Sequence, residues 1–118
     1  MYQGRVVLCG SNAYEKKFYL NEDFEALPQT IKDELKIMCV LYTEDVGGVL
    51  TLSYEEDGTL LFHVESDEGD LLFDEIGSVL KIKQLQEEKK ELLEALELYY
   101  KVFFLQEDAA ELLAQEEE

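Results

Sequence analysis

Val49-Leu50-Thr51-Leu52-Ser53-Tyr54-Glu55-Glu56-Asp57-Gly58-Thr59-Leu60-Leu61-Phe62-His63-Val64-Glu65 decides the fold class. Two β-rich runs, Val49 to Tyr54 and Leu60 to Glu65, flank Glu56-Asp57-Gly58, the pattern of an antiparallel hairpin. A two-residue Asp57-Gly58 turn would set Leu52 against His63 and Leu50 against Glu65, mixing apolar and polar side chains on both faces. A three-residue loop pairs Leu52 with Phe62, Leu50 with Val64 and Tyr54 with Leu60. That register puts the apolar side chains on one face, leaves Thr51, Ser53, His63 and Glu65 on the other, and sets Gly58 where the loop wants left-handed backbone. The three-residue loop is the expected one.

Upstream, Gly47-Gly48 stops a helix that starts at Leu27-Pro28, since Pro is at home in a first helical turn. Ile31, Leu35, Met38, Cys39 and Tyr42 share one face of it, and Ile37 to Tyr42 are all apolar, which predicts a central, enclosed helix. Further back, Arg5 to Cys9 reads as a strand closed by Gly10. Asn12 with Glu15 has the spacing of a capping box, so a short helix is expected from Ala13 to Leu20; a strand over Tyr14 to Leu20 competes, given Phe18 and Tyr19.

Downstream of the hairpin, Leu72, Ile76, Val79 and Leu80 return to helical spacing, with Asp67 or Asp70 as caps and a break at Gly77-Ser78, where Ser78 caps the next helix. A long helix then runs from about Val79 to Phe104 on the seam Ile82, Leu85, Lys89, Leu92, Leu96, Tyr99 and Phe103. Its first half, Gln84 to Glu91, should pack weakly and its second half should dock in the core, with Glu97 and Lys101 as an ion pair one turn apart. The fold expected is α+β: an antiparallel hairpin, with the N-terminal strand as a third candidate, packed on a central helix and a long C-terminal helix. Residues 1–105 form a single domain and 106–118, six acidic residues and no basic one, an acidic, solvated tail.

Composition limits what such a domain can do. The chain has 118 residues with 28 Asp+Glu against 10 Lys+Arg, a net charge of -18, and 47% hydrophobic residues. The charge argues against direct nucleic-acid binding and against anionic membranes, while the hydrophobic content is that of a globular chain. No apolar run approaches a membrane span and the start does not read as a signal peptide. Cys9 and Cys39 have no close Cys neighbour and read as free, partly buried thiols in a cytoplasmic protein. A second reading sets Cys9 at a strand-to-helix turn, where a thiol pKa falls.

Sharper constellations are few. Between Glu44 and Glu75 there are eleven acidic residues and no Lys or Arg, which reads as a solubilising surface or a dock for a basic partner. Glu44, Asp45, Asp67, Asp70 and Asp74 are the candidate ligands for a divalent cation, although the spacing does not make an EF-hand loop. His63, the sole His, falls on the polar hairpin face, and no nucleophile motif, phosphate loop or cofactor signature is present. Leu93, Tyr100 and Phe104 form a second stripe on the last helix, an interaction surface if the sheet leaves it uncovered.

The runs Val7-Leu8-Cys9-Gly10-Ser11-Asn12-Ala13-Tyr14-Glu15-Lys16-Lys17, Thr43-Glu44-Asp45-Val46-Gly47-Gly48, Asp74-Glu75-Ile76-Gly77-Ser78 and Leu98-Tyr99-Tyr100 resemble a small uncharacterised family of cytoplasmic proteins from gut clostridia. The resemblance spans roughly 4–105, implies a bacterial, anaerobic setting, and brings no activity, cofactor or site residue with it. The functional expectation is a non-enzymatic interaction or adaptor protein with a protein partner, homodimerisation through the last helix being one form of it. An acidic mimic that inhibits a nucleic-acid-binding protein is the first alternative, and a small divalent-ion binder or enzyme the second.

Overall fold

The computed structural model describes residues 6–105; the acidic segment 106–118 lies outside the described residues. The chain runs β1 (Val6–Asn12), β2 (Lys17–Leu20), a 3-10 turn (Glu22–Phe24), α1 (Gln29–Val46), β3 (Val49–Tyr54), β4 (Leu60–Glu65), α2 (Glu75–Glu88) and α3 (Lys90–Phe103). The strands form one antiparallel sheet in the order β2-β1-β3-β4, so the fold is α+β.

The β3–β4 register is the three-residue-loop one, with Leu50 opposite Val64, Leu52 opposite Phe62 and Tyr54 opposite Leu60. Gly58 supplies the left-handed residue at φ 91°, and the Lys101 side chain lies so close that a Cβ there would meet its Cγ at 2.9 Å. Gly47 and Gly48 end α1 and lead into β3 as expected, both at positive φ.

The N-terminal segment corrects an expectation. Residues 13–20 are not a helix: 13–16 turn the chain and Lys17–Leu20 return as β2. The capping signal is chemically real, since Asn12 Oδ1 accepts from the N–H groups of Tyr14 and Glu15 at 2.9 and 3.1 Å. It closes a turn and not a helix because Phe18 pairs across from Ser11 and Leu20 from Cys9, both packing against the core. Tertiary pairing outweighs the local signal. A bulge between Val7 and Cys9 in the β1–β3 ladder accompanies two consecutive buried residues, Leu8 and Cys9.

Helix α1 buries Leu35, Met38, Cys39, Tyr42 and Val46 against the sheet. It is not enclosed, however: Ile37 and Leu41 are more than half exposed, because the other described residues cover only one side of the helix. The helical region after the hairpin differs too. Gly77-Ser78 is no break; α2 begins at Glu75 with Asp74 as its N-cap, its Oδ1 accepting from Gly77 N–H at 2.7 Å, and Ser78 lies inside the helix with its hydroxyl on the Glu75 carbonyl. The break falls at Lys89, the one charged residue on the expected seam, which sits at φ -108°, ψ 23°. Beyond it α3 buries Leu92, Leu93, Leu96 and Tyr100, whereas α2 buries only Ser78 and Leu85. The weakly packed first half and docked second half are therefore two separate helices.

Two tyrosine hydroxyls tie these helices to the core. Tyr42 donates to the Ser78 carbonyl at 3.3 Å, and Tyr54 to the Leu96 carbonyl at 2.9 Å. Tyr54 stacks on Tyr100 at 4.1 Å and on Phe24 at 5.8 Å, and Phe104 closes the cluster on Phe24 at 4.7 Å. Glu97 does not pair with Lys101; its carboxylate accepts the Leu60 N–H at 2.8 Å, fixing the start of β4 to α3. Among the described residues no helix is long and apolar enough to cross a membrane.

Candidate functional site

The segment 66–74, between β4 and α2, is an acidic loop with a tether. Tyr14, on the β1–β2 turn, accepts the Asp67 N–H at 2.9 Å and donates its hydroxyl proton to the Asp70 carboxylate. Asp70 also accepts the Leu72 N–H at 2.9 Å, and the Asp70 N–H closes a turn on the Asp67 carbonyl at 3.0 Å. The Tyr14 hydrogen bond, helped by the Leu72 N–H, holds the Asp70 carboxyl below the usual carboxylate range; the same bond pushes the Tyr14 phenol up. At the far end, Phe73 sits against Gly48, where a Cβ would stand 2.9 Å from its ring, and the Asp74 N–H reaches the Val46 carbonyl at 3.3 Å.

Between these anchors the loop displays leucines. Leu71 and Leu72 are 95% and 93% exposed, and Ile76, Val79 and Leu80 on α2 are each more than half exposed. The spacing of Ile76, Val79 and Leu80 places them on one face of α2; Leu72 lies before the helix, in the loop that precedes the Asp74 cap. The helical period expected from Leu72 holds only from Glu75 onward, with Asp74 and not Asp67 or Asp70 as the cap, and the Ile76, Val79 and Leu80 face points to solvent; the core takes Ser78 and Leu85 from the other side. Asp67 and Glu68 precede the strip in sequence and Asp74 and Glu75 lie within it. Nothing in a period distinguishes the covered face from the open one, so sequence could locate these side chains without showing that they are surface.

The stripe read from the sequence as an interaction surface lies elsewhere. Leu93 and Tyr100 are buried, and Phe104 is partly buried in the aromatic cluster, so the chain itself covers this stripe. The five cation-ligand candidates each have a place of their own. Glu44 is exposed on α1, Asp45 pairs with Lys81 at 3.2 Å, Asp67 and Asp70 meet Tyr14, and Asp74 caps α2. Among the described residues no three His, Cys, Asp or Glu side chains gather as metal ligands. His63 is exposed on β4, across from Thr51.

Cys9 is not at a strand-to-helix turn; it lies within β1, with its Sγ 3.9 Å from that of Cys39. The contact with Cys39, then burial, pushes the Cys9 thiol well up, the reverse of an activated nucleophile.

Residues 5–108 match the profile of a family described as a family of unknown function, DUF6145. Comparison with curated proteins and with solved structures finds no match for the chain.

Proposed function

The chain belongs to the DUF6145 family of unknown function, and from that premise we propose that it is a non-enzymatic interaction protein, an adaptor or regulator, whose contact surface is the strip Leu71, Leu72, Ile76, Val79 and Leu80. One observation carries the reading: two adjacent leucines stand almost fully in water on a loop whose two ends are tied down. A leucine left in water forgoes about 1.5–3 kcal/mol of burial, and grouped exposed apolar side chains mark contact sites.

The occupant that fits is a protein offering an apolar groove with a basic rim. Asp67 and Glu68 precede the strip and Asp74 and Glu75 interrupt it in sequence, and complementary charge around an apolar contact steers and selects a partner. A second copy is disfavoured, because each carries a net charge of -18 and the α3 stripe is already covered. The reading includes a cytoplasmic setting, supported by two buried free thiols, and an origin in gut clostridia, supported by the sequence resemblance alone.

The test compares the wild-type chain with the triple variant Leu72→Ser, Ile76→Ser, Leu80→Ser in capture from native lysate, alongside light scattering. Exposed positions tolerate such changes within about 0.5 kcal/mol each, so the variant should keep its fold. It should lose a basic partner that the wild type retains. Recovery of the same proteins by both chains, or a homodimer that survives the triple variant, overturns the assignment.

A further inference from the structure

Outside the leucine strip, three of the ten basic residues line one cleft. Lys16 from the β1–β2 turn, Lys17 at the start of β2 and Lys36 from α1 line a cavity of about 740 Å³ between that hairpin and the helix. The chain carries 28 carboxylates, and Lys32 and Lys81 each take one, Glu25 at 3.1 Å and Asp45 at 3.2 Å. Lys17 stands 3.9 Å from Glu15, while among the described residues Lys16 and Lys36 make no ion pair. In so acidic a protein, three lysines lining one cleft against a single carboxylate in that lining, Glu44, are the feature to explain.

We propose that this cleft binds a small organic phosphate, a molecule joining one or more phosphate groups to an apolar body. The lysines supply the phosphate half: an ε-ammonium is a point charge with three rotatable donors, suited to phosphate oxygens. Asn12 adds a donor, since its carbonyl oxygen is engaged by the Tyr14 and Glu15 N–H groups and its amide N–H groups are left over. The apolar half comes from Phe18 and Val40, both partly buried in the lining.

The floor is fixed and offers no competing charge. Ser11 and Thr43 are buried and share a hydrogen bond of 2.8 Å, and Thr43 Oγ1 donates to the Val40 carbonyl at 3.1 Å. Thr43 Oγ1 shares its one proton among Ser11 and the Val40 and Cys39 carbonyls, and neither hydroxyl brings a charge into the cleft. The size decides between an inorganic ion and an organic molecule: small-molecule sites run to about 300–1,000 Å³, far more than a bare phosphate fills. The one acid in the lining, Glu44, opposes an anion and belongs in the test. Glu15, 3.9 Å from Lys17, opposes an anion as well, while charges more than about 8 Å away are screened by water at physiological ionic strength.

The experiment is a titration of the full chain with ADP and, separately, with inorganic pyrophosphate, followed by backbone amide chemical shifts. ADP should move the amides of residues 11–18, 36 and 43–47 with saturable binding, and pyrophosphate should move the same set more weakly because it lacks an apolar body. Lys36→Gln and Lys16→Asn should each weaken ADP binding about tenfold, the scale of one charge-assisted contact; Asn keeps the left-handed backbone that Lys16 adopts at φ 55°. Glu44→Gln should tighten it. No shifts with either probe, shifts that the lysine variants leave unchanged, or pyrophosphate binding as tightly as ADP would each overturn the proposal. The leucine strip lies outside this cleft, so the two readings fail independently.

Discussion

Replacing Tyr54 by Phe deletes one oxygen from the centre of the core and leaves its ring stack in place. The hydroxyl is fully buried and donates to the Leu96 carbonyl at 2.9 Å, so the variant loses one buried hydrogen bond, about 1 kcal/mol net. For a domain of this size that lowers the melting temperature by roughly 4–8 °C. Tyr54→Ala also removes the ring contacts with Tyr100 and Phe24 and should cost about 3–5 kcal/mol. Alkaline pH supplies a second reading of the same oxygen. Burial first, then the neighbouring Cys9 and Glu97, holds the Tyr54 phenol far above its ordinary value. A folded pKa above the unfolded one, about 10, means a contribution fully present below pH ~10 and lost as pH rises toward the folded value. Wild type should therefore lose stability above that pH faster than Tyr54→Phe, and the deficit of the variant should narrow. Melts followed by circular dichroism at neutral and alkaline pH check both statements. Equal melting at neutral pH would refute the hydrogen bond, and a deficit independent of pH would refute the buried neutral phenol.

Native protein should resist thiol alkylation at neutral pH, with both cysteines labelling only on unfolding, because Cys9 and Cys39 are buried side by side and the Cys9 thiol is raised; rapid labelling of Cys9 by mass spectrometry would contradict this. Asp74→Ala should cost about 1 kcal/mol in a denaturant titration through loss of the α2 cap, and an unchanged midpoint would show that the cap contributes nothing. Gly48→Ala should destabilise by at least about 1–3 kcal/mol from backbone strain alone. Its φ is 75° and the new Cβ would lie 2.5 Å from the Glu65 carbonyl oxygen, so a neutral result would count against the strand entry described above.

Where the sequence was legible, the information was local and redundant. The β3–β4 register followed from the apolar period together with Gly58, and α1 from Pro28 at one end and two glycines at the other. Residues 13–20 misled because Asn12 makes the same hydrogen bonds to close a turn as to start a helix, and the decision belongs to partners of Phe18 and Leu20 elsewhere in the chain. Gly77-Ser78 looked like a break, yet the small Gly77 lets Asp74 cap closely; a Cβ there would overlap the carboxylate. Lys89 carried the true break, marked only by its charge on an apolar seam. For the candidate site the limits were stricter. Leu72, Ile76, Val79 and Leu80 were visible as a period, but their exposure depends on α2 packing by its opposite side, and the convergence of Lys16, Lys17 and Lys36 needs the β1–β2 hairpin that the local signal obscured.

The order β2-β1-β3-β4 makes the sheet two hairpins laid side by side, each closed by its own short turn. Their common border, β1 against β3, joins residues as distant as Val6 and Tyr54, with α1 spanning the gap as a splint. Each hairpin zips locally, but the border must absorb the closure entropy of everything between. Assembly is thus gated at the middle of the sheet and not at its rims, and amides along β1 and β3 should be the last to trade their hydrogens for deuterium.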